Sequence, residues 1–143
     1  MPNITLICTQ HDEKGACNLN ELYRIVEKIQ PDVIFEELPP YAYDDYYVKK
    51  TKSNLETRTI TAYTENQPIK HILIDLDCNP RYIIKKNGYV HNRIESNSHE
   101  YRRLIDWNSQ YVYSYGFKYL NSDSCSDIHS KIYLAIRSEE RRV

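Results

Sequence analysis

The sequence predicts an α/β fold: a βαβ start, a short and mostly parallel three-stranded sheet, and helices through the C-terminal half. Three observations lead there. Short β-branched runs alternate with a helical stripe in the first 78 residues, the strand runs are apolar on both faces as buried parallel strands are, and helical periodicity takes over afterwards. With 143 residues, 27% of them charged and 41% hydrophobic, the chain suits one soluble domain and neither a disordered tail nor a coiled coil.

The first expected strand is Asn3 to Thr9 (N-I-T-L-I-C-T), followed by a polar loop from Gln10 to Cys17. Asn18 stands three residues before Glu21, a variant of the capping box, and Leu22, Ile25, Val26 and Ile29 then recur at helical spacing. Pro31 ends that helix, because it disfavours helical backbone at Gln30 and carries no N–H for the ladder. Val33, Ile34 and Phe35 begin a second strand that runs into Glu36 and Glu37 and halts at Pro39-Pro40. Strand, helix and strand make a βαβ unit with a right-handed crossover. A tyrosine-rich helical stretch (Tyr41 to Val48), a polar break (Lys49 to Asn54) and a helix from Leu55 to about Asn66 precede the third strand, Ile69 to Leu76.

After Ser98, a plausible cap, Tyr101, Leu104, Ile105, Tyr111, Val112, Tyr115 and Tyr119 form one stripe. Ile128, Ile132, Ala135 and Ile136 form a second. The last seven residues (R-S-E-E-R-R-V) break the stripe and look like a translated sequencing adapter. The expected layout is therefore a single α/β domain over residues 1–136, incomplete at its C-terminal side, and a non-native or disordered tail over 137–143. Three strands give a thin sheet with an exposed edge, which also fits an incomplete domain.

Charge and composition exclude several function classes. The net charge is -1, and the 8 basic and 13 acidic residues through Cys78 are followed by 11 and 7, scattered rather than clustered, so nucleic acid is not an expected partner. No apolar run reaches the roughly 20 residues of a membrane span, and no signal-like start precedes the first strand, so a cytoplasmic protein without a membrane partner is expected. The four cysteines form no Cys-x-x-Cys pair, and Cys8, His11 and Cys17 find no companion ligands in the second half. The three glycines build neither a dinucleotide fingerprint nor a P-loop.

What remains is the rim where parallel strands end, the usual ligand edge of an open α/β sheet. Strand one would deliver Thr9, Gln10 and His11, strand two Glu36 and Glu37, and strand three Asp75 and Asp77. Imidazole plus carboxylates can hold a divalent ion and activate water, or can run general acid–base chemistry with one carboxyl kept protonated. Alternating side chains prevent Glu36 and Glu37 from facing one pocket unless the strand has ended, whereas Asp75 and Asp77 share a face. Each also has an ordinary role: His11 in an exposed loop, the glutamates at a strand end, the aspartates in a turn. His71, inside an apolar strand, reads as a satisfied core histidine.

Taken together, Thr9-Gln10-His11 after the first strand and Pro31-Asp32-Val33-Ile34-Phe35-Glu36-Glu37-Leu38 resemble the Tiki/TraB/erythromycin-esterase-like superfamily, which includes ChaN-like proteins. Asp75-Leu76-Asp77 looks like that superfamily's later acidic element. Two features depart from it: Cys8 stands where the pattern has Gly, and no second Gly-x-x-His element is present. The resemblance implies a metal-dependent hydrolase of peptide or ester bonds using manganese, cobalt or zinc. It implies His11, Glu36 and Glu37 as catalytic candidates and His11, Glu37 and Asp77 as metal ligands. Its substrate would be a small molecule or peptide. The competing expectation is a noncatalytic module that binds a small ligand or peptide at the same rim.

Overall fold

The first helix begins where the Asn18 side chain accepts a hydrogen bond from the Glu21 N–H, satisfying one of the amides that every helix start leaves open. Helix α1 (Leu19–Ile29) buries Leu22 and Val26, while Arg24 pairs with Glu21 at 2.9 Å on the solvent side. Gln30 ends it in left-handed backbone, φ 51°, and gives its N–H back to Val26. Pro31 prevents another turn.

This computed structural model describes residues 3–76, 88 and 91–140, and the chain divides into two compact units, Met1–Cys78 and Asn79–Val143. In the first unit α1 leads to strand β1 (Val33–Glu36), a 3-10 turn (Pro40–Ala42), a π-helical turn (Asp44–Val48), helix α2 (Leu55–Asn66) and strand β2 (Lys70–Leu73). The two strands pair in parallel, with Val33 opposite Lys70, Ile34 opposite His71, Phe35 opposite Ile72 and Glu36 opposite Leu73. The Ile74 N–H continues the ladder to the Glu36 carbonyl at 3.0 Å. Helices α1 and α2 pack on one another.

Helix α2 carries four threonines, a poor helix composition because β-branched side chains lose χ1 freedom. Its start is held by a reciprocal capping box: the Asn54 side chain accepts from the Thr57 N–H at 2.7 Å, and the Thr57 hydroxyl accepts from the Asn54 N–H at 3.1 Å. The hydroxyls of Thr59, Thr61 and Thr64 donate to the carbonyls of Leu55, Thr57 and Ile60, so none is buried unpaired. Leu55 and Thr59 are fully buried. Replacing Leu55 by alanine would remove about 2–5 kcal/mol of packing.

The expected three-stranded α/β sheet is corrected here. Two strands form, 64% of the described residues are helical, and the molecule is mostly helical. Asn3 to Thr9 carries the composition of a buried strand but makes no ladder, and Ile4 and Leu6 remain 88% and 85% exposed. A strand exists only where a neighbour completes its hydrogen bonds. This segment is instead drawn to the start of α2, where the Thr9 hydroxyl donates to Glu56 at 2.7 Å and the His11 carbonyl accepts from the Leu55 N–H at 2.7 Å. The sheet therefore begins with the second expected strand, and the βαβ start becomes α1–β1–α2–β2.

The second unit is helical where described. Residues 91–97 are helical, and Ser98 caps helix α3 (His99–Leu120) by accepting from the Tyr101 N–H. Helix α4 (Asp123–Glu140) follows a tight turn and packs on α3. Ile94, Leu104, Val112, Phe117, Cys125, Ile128 and Ile132 fill the core. The expected tyrosine stripe is only partly inside: Tyr101 and Tyr119 are buried, whereas Tyr111 and Tyr115 are 43% and 57% exposed and stack along the surface. Gly116 interrupts α3 at φ 53°, ψ -134°, a conformation almost reserved for glycine, and the stripe changes direction there. The tail expected from Arg137 onward continues α4 as far as Glu140.

Candidate functional site

Strand β1 ends on Glu36, whose pleat direction turns its side chain to the same face as Ile34 and, across the ladder, His71. Glu36 is 6% exposed. Its Oε2 lies 2.8 Å from His71 Nε2 and accepts the Tyr47 hydroxyl at 2.7 Å. The imidazole sits edge-on to the Tyr47 ring with centroids 5.0 Å apart, and Tyr43 stacks on Tyr47 at 5.3 Å.

Tyr47 reaches the carboxylate because residues 44–48 form a π-turn, closed by the Lys49 N–H on the Asp44 carbonyl at 2.7 Å. Lys52 reinforces it with a 2.7 Å ion pair to Asp45. That partnership holds the Asp45 carboxyl below its ordinary range and the Lys52 ammonium above its own. Burial pushes the Tyr47 phenol strongly upward, and the hydrogen bond to Glu36 and the charges of Glu36 and Glu56 push it further. The phenol therefore stays protonated, and its O–H stays a donor, throughout the physiological range.

A second pair forms at the start of α2. His11 Nδ1 lies 3.3 and 3.4 Å from the two Glu56 carboxylate oxygens, and Glu56 also accepts from Thr9. The two pairs differ in burial: the His11 side chain is 76% exposed, whereas that of His71 is 12% exposed. Both glutamates act on Tyr47, so their negative charges fall within electrostatic range of a single hydroxyl. Beneath the loop, Cys17 is fully buried, and its thiol is pushed up to about 11 by burial and then by Glu56. A thiol held neutral in this way is a poor nucleophile and a poor metal ligand.

The expected site residues therefore separate. His11 takes Glu56 as its acidic partner. Glu36 takes His71 and Tyr47. Glu37 is exposed one residue further on, as pleat alternation requires. Asp75 is exposed and accepts the Leu76 N–H at 2.7 Å in a local turn, and Asp77 lies outside the described residues. His11, Glu37 and Asp77 are not brought together as one ion-binding set among the described residues, where no group of three or more His, Cys, Asp or Glu side chains is placed to hold a metal.

Three contributors, His71, Tyr47 and Glu56, were not singled out as site residues in the sequence. His71 is satisfied, as expected of a core histidine, but by a buried carboxylate. The signal available for it was register: a parallel pairing that sets Glu36 beside Leu73 puts His71 on the same face, one diagonal step back. No local pattern marks the π-turn that aims Tyr47. Comparison with protein-family models, curated proteins and solved structures finds no match to this chain.

Proposed function

We propose that the first unit is a hydrolase domain acting on peptide or ester bonds, with general acid–base chemistry centred on Glu36 and His71. One observation carries the reading: an imidazole nitrogen 2.8 Å from a buried carboxylate oxygen that also accepts a phenol. A buried carboxylate fixes the tautomer of a neighbouring histidine and stabilises the imidazolium formed when it accepts a proton. In this role His71 takes a proton from water as the oxygen attacks the carbonyl carbon, then returns it to the leaving amine or alcohol. Such proton transfer is worth roughly 10²–10⁴ in rate. The resemblance at residues 31–38 supports the same reaction class. His11, Glu37 and Asp77 do not fit one metal centre as described, so no step is routed through an ion.

The test is a screen of fluorogenic peptides and of aryl esters of increasing size, run with chelator and with added manganese, cobalt or zinc. Turnover that falls at least about 100-fold in both Glu36→Gln and His71→Gln, with helical circular dichroism retained, is the expected result. Absence of turnover on every substrate under every ion condition, or equal turnover in the variants, overturns the proposal. Saturable ligand binding without turnover would favour the noncatalytic module.

A further inference from the structure

We infer that Tyr47 is a positioning residue: it commits His71 Nε2 to Glu36 and leaves Nδ1 as the nitrogen that moves the proton. This inference rests on the acid–base reading of the Glu36–His71 pair and names the working atom within it. Both donors converge on one oxygen. Tyr47 reaches Glu36 Oε2 at 2.7 Å and His71 Nε2 reaches the same atom at 2.8 Å. A neutral phenol at that distance from a carboxyl group donates its proton, so Oε2 is an acceptor. An acceptor at 2.8 Å from a ring nitrogen requires that nitrogen to carry hydrogen. In the neutral ring the proton is then on Nε2, and Nδ1 holds the lone pair.

Geometry supports the assignment in two further ways. The Tyr47 ring stands edge-on against the imidazole, 5.0 Å between centroids and 63° between planes, which opposes a ring flip that would exchange the nitrogens. Among the described residues no hydrogen bond to Nδ1 is seen, and the side chain keeps 12% of its surface open. The phenol is also held protonated by burial and by the Glu36 charge, so it donates through the whole pH range in which a histidine works. Without that donor, Oε2 can carry a proton itself and donate to Nε2, which moves the ring proton to Nδ1. Tyr47 thus selects the tautomer through Glu36 without touching a substrate.

The experiment needs no substrate. Long-range proton–nitrogen correlation spectra of the ¹⁵N-labelled full chain, recorded above the His71 transition, report which nitrogen carries the proton. The expected result is the Nε2–H form in the wild type, with the ratio of the two forms falling about tenfold in Tyr47→Phe, the equivalent of one hydrogen bond to a charged group. Carboxymethylation followed by product analysis gives a second readout, with Nδ1 the modified atom in the wild type and a mixture in Tyr47→Phe. A wild type protonated on Nδ1, or a Tyr47→Phe tautomer ratio identical to the wild type, overturns the inference. Lack of hydrolysis would sink the proposed function and leave the tautomer result standing, so the two failures are told apart. Tyr47→Phe keeps the ring, and a His71 resonance dispersed as in the wild type verifies that the variant is folded.

Discussion

Glu36 and His71 are diagonal neighbours on one face of a parallel sheet: His71 pairs in register with Ile34, two residues before the glutamate, yet its Nε2 sits 2.8 Å from Glu36 Oε2. Only 12% and 5% of the two side chains remain exposed, so the pair is a structural joint between the strands as well as a chemical unit. Removing one partner from a buried pair leaves the other unsatisfied.

The joint can be dissected at His71. Glutamine places an amide N–H near the position of Nε2 and can still donate to Glu36, whereas the shorter asparagine cannot reach it. Urea unfolding is expected to show His71→Gln within about 1 kcal/mol of the wild type and His71→Asn lower by about 1–3 kcal/mol, the cost of an unsatisfied buried acceptor. Equal losses in the two variants would show that the nitrogen nearest Glu36 contributes no stability.

His11 offers the contrast. Its partner Glu56 is also bound by Thr9, and its ring stands in solvent. His11→Ala is expected to change unfolding free energy by less than about 1 kcal/mol, as exposed ion pairs do. A loss as large as that of His71→Asn would mean that the loop before α1 is anchored chiefly through this ring.

Asn54 supports a helix rich in threonine, and its side chain takes the Thr57 N–H while its own N–H is taken by the Thr57 hydroxyl. Asn54→Ala is expected to cost about 1 kcal/mol and Asn54→Asp much less, because aspartate caps equally well. Equal losses from the two substitutions, measured by denaturant unfolding, would remove the cap from this account.

Gly116 has φ 53° and ψ -134° inside α3. Gly116→Ala is expected to lower the stability of the second unit by about 1–3 kcal/mol, the range for side chains forced into such backbone. Thermal unfolding followed at 222 nm measures it, and an unchanged or raised midpoint would show that the helix runs straight through this position.

The Tyr119 phenol is pushed up to about 12, first by burial and then by Cys125 beside it, against an ordinary value of 10.0. The folded chain therefore keeps a proton that the unfolded chain gives up more easily. The stability from this difference is fully present below pH 10 and is lost as pH rises through 12. Urea unfolding at pH 8 and pH 11 is expected to show a smaller alkaline loss in Tyr119→Phe than in the wild type. Identical losses would exclude Tyr119 as the source.

Local chemistry made much of the fold legible. Asn18 and Pro31 bracket α1, and the expected helix from Leu55 to about Asn66 is the one observed. Strand pairing was not legible, because a run such as Asn3 to Thr9 has strand composition whether or not a neighbour receives it. The site divides along the same line. Glu36 was visible as a carboxylate at a strand end, whereas its partners lie 11 and 35 residues away, brought in by a π-turn and by sheet register. Glu56 gave no sign of its pairing with His11, since acidic residues are ordinary in a first helical turn.

The four-residue ladder of β1 and β2 has a practical consequence for handling the protein. Among the described residues both outer rims of that ribbon are open, Phe35 is 62% exposed on it, and the already extended Asn3 to Thr9 segment holds Ile4 and Leu6 in water. Open rims and a ready-made apolar strand are the two ingredients of edge-to-edge aggregation between molecules. Concentrated stocks will keep best with a charge introduced at Ile4 or Leu6, where a lysine disturbs no packed neighbour and spoils the template.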